Sequence, residues 1–331
     1  MALFRCNKCG HLREVPNEYI GKSVKCPHCS QATPIYDTTV FVEKLLEKFL
    51  AQRNELQKLR QQCNTVQEIY DANTAQPSLA DIDLFNTTAL AEDGQFAPIV
   101  DWFRKKKIKI DIDSKHLDTT GFFDEVAVAL GDNYERLKDI GEKIKRTQKK
   151  GYQNLSIPLA KKSQKEATEI IEFCQKLYEY SFVAKYFYQK QEKIIRLALQ
   201  PAPAIVQFFD GRWFEWYVFI KFTALLRDKG RAFSCSRNIS VTFANEDLHE
   251  LDVFFLVDGR LPICIECKTG EFRPDIEKYL KLRTRIHMDK SNFLLCVVGL
   301  SQEQVQGLSS MYDLTFVNER NFLDQVEKLI G

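Results

Sequence analysis

The stretch Leu251-Asp-Val-Phe-Phe-Leu-Val-Asp258-Gly259-Arg260-Leu-Pro-Ile-Cys-Ile-Glu266-Cys267-Lys268-Thr269-Gly270 reads as two apolar strands joined at an Asp-Gly turn. It carries charges where strand interiors avoid them, at Asp252, Glu266 and Lys268. Strand side chains alternate between faces, so Glu266 and Lys268 share one face while Ile265 and Cys267 point into the opposite layer. A three-residue loop over Asp258-Gly259-Arg260, with glycine left-handed, pairs Val257 with Leu261 and sets Asp252 opposite Glu266. A two-residue loop would miss by one position and separate the acids.

Two carboxylates side by side among Val, Phe, Leu and Ile repel each other and lose hydration, which is costly unless a cation sits between them. A hard divalent ion, Mg²⁺ or Mn²⁺, suits carboxylate oxygens and keeps open positions for water and phosphate. Lys268 is then placed to orient or help deprotonate an attacking water, or to stabilise charge on a phosphate. For a bare Glu-x-Lys, a structural ion pair between Glu266 and Lys268 is the simpler reading. The upstream Asp252, the hairpin and the apolar setting favour the metal site.

Asp252 and Glu266-Cys267-Lys268, preceded by Gly211-Arg-Trp-Phe-Glu215-Trp-Tyr-Val218, resemble the PD-(D/E)xK restriction-endonuclease-like superfamily. The nearest likeness is to the C-terminal nuclease domain of CRISPR-ancillary nucleases activated by cyclic oligoadenylates. Its Gly-x-Trp-x-Glu helix, Asp-bearing strand and Glu-Cys-Lys-Thr strand match Gly211, Trp213, Glu215, Asp252, Glu266, Lys268 and Thr269. The resemblance implies a Mg²⁺- or Mn²⁺-dependent endonuclease with Asp252, Glu266 and the Cys267 carbonyl on the metal. It also implies Lys268 at the hydrolytic water, Glu215 completing the outer shell, and a bacterial defence or mobile-element setting. It covers about the last third of the chain. Nothing before residue 200 resembles the ligand-sensing domain found in those nucleases, so cyclic-nucleotide activation is not carried over.

Working outward, Pro201-Ala-Pro203 marks the start of this last domain. Trp213, Phe214, Trp216, Tyr217, Phe219, Ile220 and Phe222 surround Glu215, so the helix from Arg212 to Arg227 is buried and its carboxylate needs a partner. Arg212 offers a plain salt bridge; the metal's water shell is the alternative, favoured here. Strands are expected at Phe233 to Phe243, Phe293 to Val298 and Leu314 to Val317. Helices are expected at Pro274 to Met288 and from Gln302 and Glu319. Helix, three strands, helix, strand is the order that superfamily uses.

At the other end, Cys6-Asn-Lys-Cys9 and Cys26-Pro-His-Cys29 are two knuckles separated by sixteen residues, the spacing that folds two turns around one tetrahedral Zn²⁺. Four thiolates close the coordination shell, so this zinc is structural. His11 and His28 are then surface residues and not ligands. A stretch this short lacks an adequate apolar core, and the metal supplies its stability. Arg5, Lys8, Arg13, Lys22 and Lys25 make the ribbon basic, which permits contact with phosphates or with an acidic protein.

Val42, Leu45, Phe49, Gln52, Leu56, Leu59, Cys63, Val66 and Tyr70 follow a heptad seam with one polar break. The helix over residues 38–72 either makes a homodimer or packs on the chain's own helices. Asn73-Thr-Ala-Gln-Pro77 reads as a linker. From about Leu79 to Gln200 the pattern is mainly helical, with Gln164 to Leu199 as one long run. Basic clusters containing Lys105, Lys106, Lys107, Lys149 and Lys150, with Lys281 and Arg285 further on, are solvated faces by default. Beside a nuclease site they become candidate nucleic-acid contacts.

The fold class expected is multidomain α+β. Residues 1–37 form a zinc ribbon and 38–76 a coiled-coil-like helix and linker. Residues 77–200 form an α-helical middle domain and 201–331 an α/β nuclease domain with a mixed central sheet. The net charge of +2 announces no nucleic-acid binder, so any such signal is local. No apolar run spans a bilayer and no leader precedes Arg5-Cys6, and most of the ten cysteines sit in the knuckles or in apolar segments. A soluble cytoplasmic protein is expected. The functional expectation is a divalent-metal nuclease acting on DNA or RNA, DNA favoured. The alternative is a non-catalytic nucleic-acid-binding or scaffold protein with a nuclease-like assembly module.

Overall fold

The computed structural model describes residues 2–6, 8, 9, 11–37, 93–117 and 122–331. The heptad helix and the linker lie outside the described residues. The chain divides into two units, Met1–Ser78 and Leu79–Gly331.

In the first unit, β1 (Ala2–Arg5), β2 (Leu12–Val15), β3 (Ser23–Lys25) and β4 (Ala32–Asp37) form an antiparallel sheet in the order β2-β1-β4-β3. Its buried core is only Ala2, Phe4, Cys6, Cys26 and Ile35, two of them knuckle cysteines. So small a cluster cannot offset the chain entropy lost on folding, and a cross-link through the sulfurs is needed.

The second unit is mixed α/β. It holds α1 (Asp93–Lys105), β5 (Lys109–Asp111), α2 (Phe123–Asp132), α3 (Tyr134–Lys149), β6 (Asn154–Pro158), α4 (Gln164–Glu179), β7 (Val183–Gln189), β8 (Ile194–Leu199) and α5 (Pro203–Gln207). These are followed by α6 (Trp213–Asp228), β9 (Phe233–Thr242), β10 (Leu248–Val257), β11 (Leu261–Lys268), α7 (Ile276–Arg285), β12 (Phe293–Val297), α8 (Gln302–Met311), β13 (Thr315–Val317) and α9 (Phe322–Ile330). A six-stranded mixed sheet runs β13-β12-β11-β10-β9-β5. β5, β9, β10 and β11 pair antiparallel, and β12 and β13 continue from β11 in parallel. Both faces are covered, which is why β12 and most of β10 and β11 are apolar, the charged positions Asp252, Glu266 and Lys268 being the exceptions. One face packs on α6, where Phe255 meets Phe222 and Phe219 at 4.1 and 5.5 Å between ring centroids. The other face packs on α1 and α7 through Phe103, Phe254, Tyr279 and Leu282.

The middle region departs from the expected helical run. α4 begins at a Ser163–Glu166 capping box and ends at Glu179. Ser181 then takes a left-handed φ of 62°, and the aromatic-rich segment after it pairs as the β7-β8 hairpin, with β6 on the far edge of β8. Alternating Tyr186, Phe187 and Tyr188 suits a half-buried strand, and that period outweighs the helical spacing of scattered apolar residues. β5, far away in sequence, extends the main sheet.

Among the described residues, no helix is long and apolar enough to cross a membrane.

Candidate functional site

The hairpin closes as the sequence requires. Asp258 and Gly259 both have positive φ, the Arg260 amide donates to the Val257 carbonyl at 3.1 Å, and Val257 pairs with Leu261. The last ladder pair is Val253 with Ile265. Continuing that register by one residue sets Asp252 opposite Glu266, where the two strands part. Glu266 is buried. The Asp252 carboxylate replaces the next ladder acceptor, taking a hydrogen bond from the Cys267 amide at 2.8 Å.

A second irregularity brings Glu215 within electrostatic reach of Asp252. On β9, Cys235 enters the core shared with α6, whereas Ile239 and Val241 enter the opposite core. Asn238, with φ of 53°, makes the change. β10 makes the same change across from it, with Val253 in the α6 core and Leu251 in the other. Asp252 lies at this crossover, between the layer of Glu215 and that of Glu266 and Lys268. Glu215 bonds Asn238 Nδ2 at 3.1 Å, and the same amide reaches Glu250 at 2.7 Å. The partner of Glu215 is Arg237, at 3.1 Å, and not Arg212. Arg237 is buried, stacks over the Trp216 ring at 3.8 Å and donates to the His116 carbonyl at 3.1 Å. Burial pulls its pKa down and Glu215 opposes that pull. Arg237→Leu should lower stability by about 3–5 kcal/mol in urea denaturation, because it strands Glu215 in the core without its cation. A change below about 1 kcal/mol would show that water reaches the pair.

Gly211 connects the start of α6 to the end of β11. Its φ is 147°, and a Cβ there would meet the Thr269 hydroxyl at 3.0 Å. A side chain there would strain the backbone and require the Thr269 hydroxyl to give way by a few tenths of an ångström.

Ionising the Asp252 and Glu266 carboxyls is costly. Burial, and then the nearby Glu215 carboxylate, push the Asp252 pKa up to about 7 against the opposing pull of Lys268. Burial and Asp252 push Glu266 well above the usual carboxylate range. Burial acts to lower Lys268, yet Asp252, Tyr279 and Glu266 together hold it above its ordinary value. Its ammonium lies 5.5 Å from the Tyr279 ring centroid. A buried and a half-buried acid, Glu266 and Asp252, that resist ionisation next to one cation have the donor chemistry of a hard-metal site, since a divalent ion would relieve the cost of ionising them. Between the ordinary aspartate range and about pH 7 the folded chain should hold a proton on Asp252 that the unfolded chain has already released. Without magnesium or manganese, stability should therefore fall as pH rises from the ordinary carboxylate range through about 7, with the raised Glu266 carboxyl adding to the fall. Urea denaturation of the wild type between pH 5 and 8 should show that slope and Asp252→Asn should reduce it; equal slopes would contradict it.

The basic candidates divide. Lys105, Lys107, Lys150 and Lys281 are exposed. Lys106 donates to the His287 carbonyl at 3.0 Å and covers Trp102; Lys149 is paired with Asp210 at 2.7 Å; Arg285 is paired with Asp247 at 2.9 Å and stacks on Phe243 at 3.7 Å. Sequence reasoning missed Arg237, Asn238 and Tyr279. The signal available for the first two was an adjacent Arg-Asn pair in the interior of a strand whose other polar residues are only small hydroxyl side chains.

In the first unit the four sulfurs of Cys6, Cys9, Cys26 and Cys29 lie within 4.8 Å of one another, the Cys6–Cys29 and Cys9–Cys26 pairs at 3.4 and 3.5 Å. Tetrahedral Zn–S bonds require S–S separations of about 3.8 Å, so the set fits a zinc ion with small adjustment. His11 and His28 stack on each other at 4.3 Å. Among the described residues no other group of three or more His, Cys, Asp or Glu side chains converges as closely.

No family model and no curated protein matches this chain. Two solved structures share part of its backbone arrangement. Protein VC1899 from Vibrio cholerae is 17% identical, with a TM-score of 0.44, over 70% of this chain and 60% of that one. Can2 from Sulfobacillus thermosulfidooxidans, solved in complex with cyclic tetra-adenylate, is 15% identical, with a TM-score of 0.46, over 69% and 59%. The match thus spans about three fifths of the length of each.

Proposed function

We propose that the second unit is a divalent-metal-dependent nuclease that hydrolyses phosphodiester bonds. The observation carrying this reading is the placement of Asp252 and Glu266 side by side just past the last pair of the β10-β11 ladder, with Lys268 beside them. Asp252 and Glu266 would hold the Mg²⁺ or Mn²⁺, together with the Cys267 carbonyl. When bound, that ion supplies Lewis-acid polarisation of the scissile phosphate and acidifies a water. Lys268, kept protonated by its acidic neighbours, serves as a donor that orients the water oxygen and stabilises charge on the phosphoryl group. Glu215, fixed by Arg237 and Asn238 and within electrostatic reach of Asp252, would bond the metal's water. The resemblance of Glu266-Cys267-Lys268-Thr269 to defence nucleases supports a bacterial defence or mobile-element setting.

The test is cleavage of single- and double-stranded DNA and RNA with Mn²⁺ or Mg²⁺, against a divalent-free control. Metal-dependent cutting of at least one substrate is expected. A protein that cuts none and binds no divalent ion would leave the alternative, a nuclease-like module used for assembly.

A further inference from the structure

The three-stranded sheet β6-β8-β7 has one face against the core and one face open. Inward go Leu155, Ile157, Ile195, Leu197, Tyr186 and Tyr188. A bulge between Val183 and Lys185 shifts β7 so that Lys185 and Phe187 face outward. Phe187 is 60% exposed in the middle of that open face. Packing does not account for it, since the tyrosines on either side already cover the core.

Its neighbours are ordered by the ladder. Phe187 is paired with Arg196 and Arg196 with Ser156, making one row across the three strands; Lys185, Ala198 and Asn154 make the next, about 7 Å along. On that side small or polar side chains flank the ring, with one cation beside it and another one row away; the row on its other side is Gln189, Ile194 and Pro158. The outward positions of the three strands carry no carboxylate. Glu192, in the β7-β8 turn, reaches Arg196 only at 3.7 Å between two half-exposed side chains, a contact that a phosphate would replace readily. Tyr152, 66% exposed, stands at the entry to β6 near Lys149 and Lys150.

We infer that this open sheet face binds single-stranded nucleic acid, with one base stacked on Phe187 and the adjoining phosphates on Arg196 and Lys185. An exposed aromatic on an antiparallel sheet, ringed by cations and hydrogen-bonding groups, recognises unstacked bases; the bases of a duplex are already stacked and cannot reach it. A protein partner is disfavoured because Phe187 is the one large hydrophobic side chain this face exposes, Ile194 being half-buried and Pro158 at the end of β6, and the charges on the face are of a single sign. The inference stands on this sheet alone and does not rest on the nuclease reading.

Fluorescence anisotropy of labelled oligo-dT and oligo-U, on the full chain in magnesium- and manganese-free buffer, tests it. Phe187→Ala should raise Kd about 5- to 100-fold and Phe187→Trp should retain binding. Lys185→Ala with Arg196→Ala should weaken binding and reduce its salt dependence. Binding of a duplex should not respond to Phe187→Ala. An unchanged single-strand Kd in Phe187→Ala overturns the inference, as does failure of the wild type to bind either oligomer. If Phe187→Ala instead halves the mass of a self-associated wild type without changing oligomer binding, the face is an interface between copies and the inference is wrong. No divalent ion is present, so a positive result holds whether or not the strand is ever cut.

Discussion

Glu266→Gln should reduce metal-dependent cleavage by about 10³-fold or more while leaving the protein at least as stable as the wild type. Lewis-acid stabilisation is worth several kcal/mol in such reactions, and each 1.36 kcal/mol is a factor of ten in rate. Glutamine keeps the shape of Glu266 but cannot balance a divalent charge. In stability the change runs the other way. The Glu266 carboxyl is buried, and both that burial and Asp252 disfavour its ionisation, so without metal a neutral amide relieves a cost that the wild type carries at neutral pH. Loss of activity together with retained or raised stability separates a metal-binding role from a structural ion pair with Lys268. If Glu266 only neutralised Lys268, the substitution would lower stability by a few kcal/mol and leave turnover intact. Initial rates, calorimetric Mn²⁺ titration and thermal melts distinguish the two cases. Wild-type turnover and Mn²⁺ affinity in Glu266→Gln would end the assignment of this site.

Removing one knuckle cysteine should unfold the ribbon altogether. The purified protein should contain about one zinc per chain, and Cys26→Ser should release it. Structural zinc contributes on the order of 10–16 kcal/mol of apparent free energy, far more than the five-residue core of this sheet can supply. Hydrogen exchange across residues 2–37 should lose its protection in Cys26→Ser while protection of β9 to β12 persists. Retention of zinc by Cys26→Ser would show that the four sulfurs do not form the site, and retained protection without zinc would show that the core suffices.

How much of this could be read from the chain varies with the range of the interactions. The β10-β11 hairpin, its loop and its register were legible, because Asp258-Gly259 chooses the turn and the apolar alternation of the flanking segments chooses the pairing. The same holds for α6, β9, α7, β12 and β13, whose order and approximate limits follow from local period and from Gly and Pro signals. The β7-β8 hairpin was not legible. Tyr, Phe and Ile occur there at spacings compatible with either period, and the choice is made by β6 and the core beneath. The partner of Glu215 was not legible either. Arg212 is near in sequence, but Arg237 comes from a neighbouring strand. Its position depends on Asn238 adopting a left-handed backbone in mid-strand.

Sequence by itself determined the zinc knuckles, the acidic hairpin and the apolar helix ahead of it, because each depends on spacing within a few residues or on one turn. Tertiary structure alone decided that β9 and β10 reverse their faces together at Asn238 and Asp252, which brings Asp252 within electrostatic reach of both Glu215 and Glu266. It alone left Phe187 in solvent. Burial and strand crossover are properties of what lies on the other side of a sheet, and no local pattern of residues encodes what packs there.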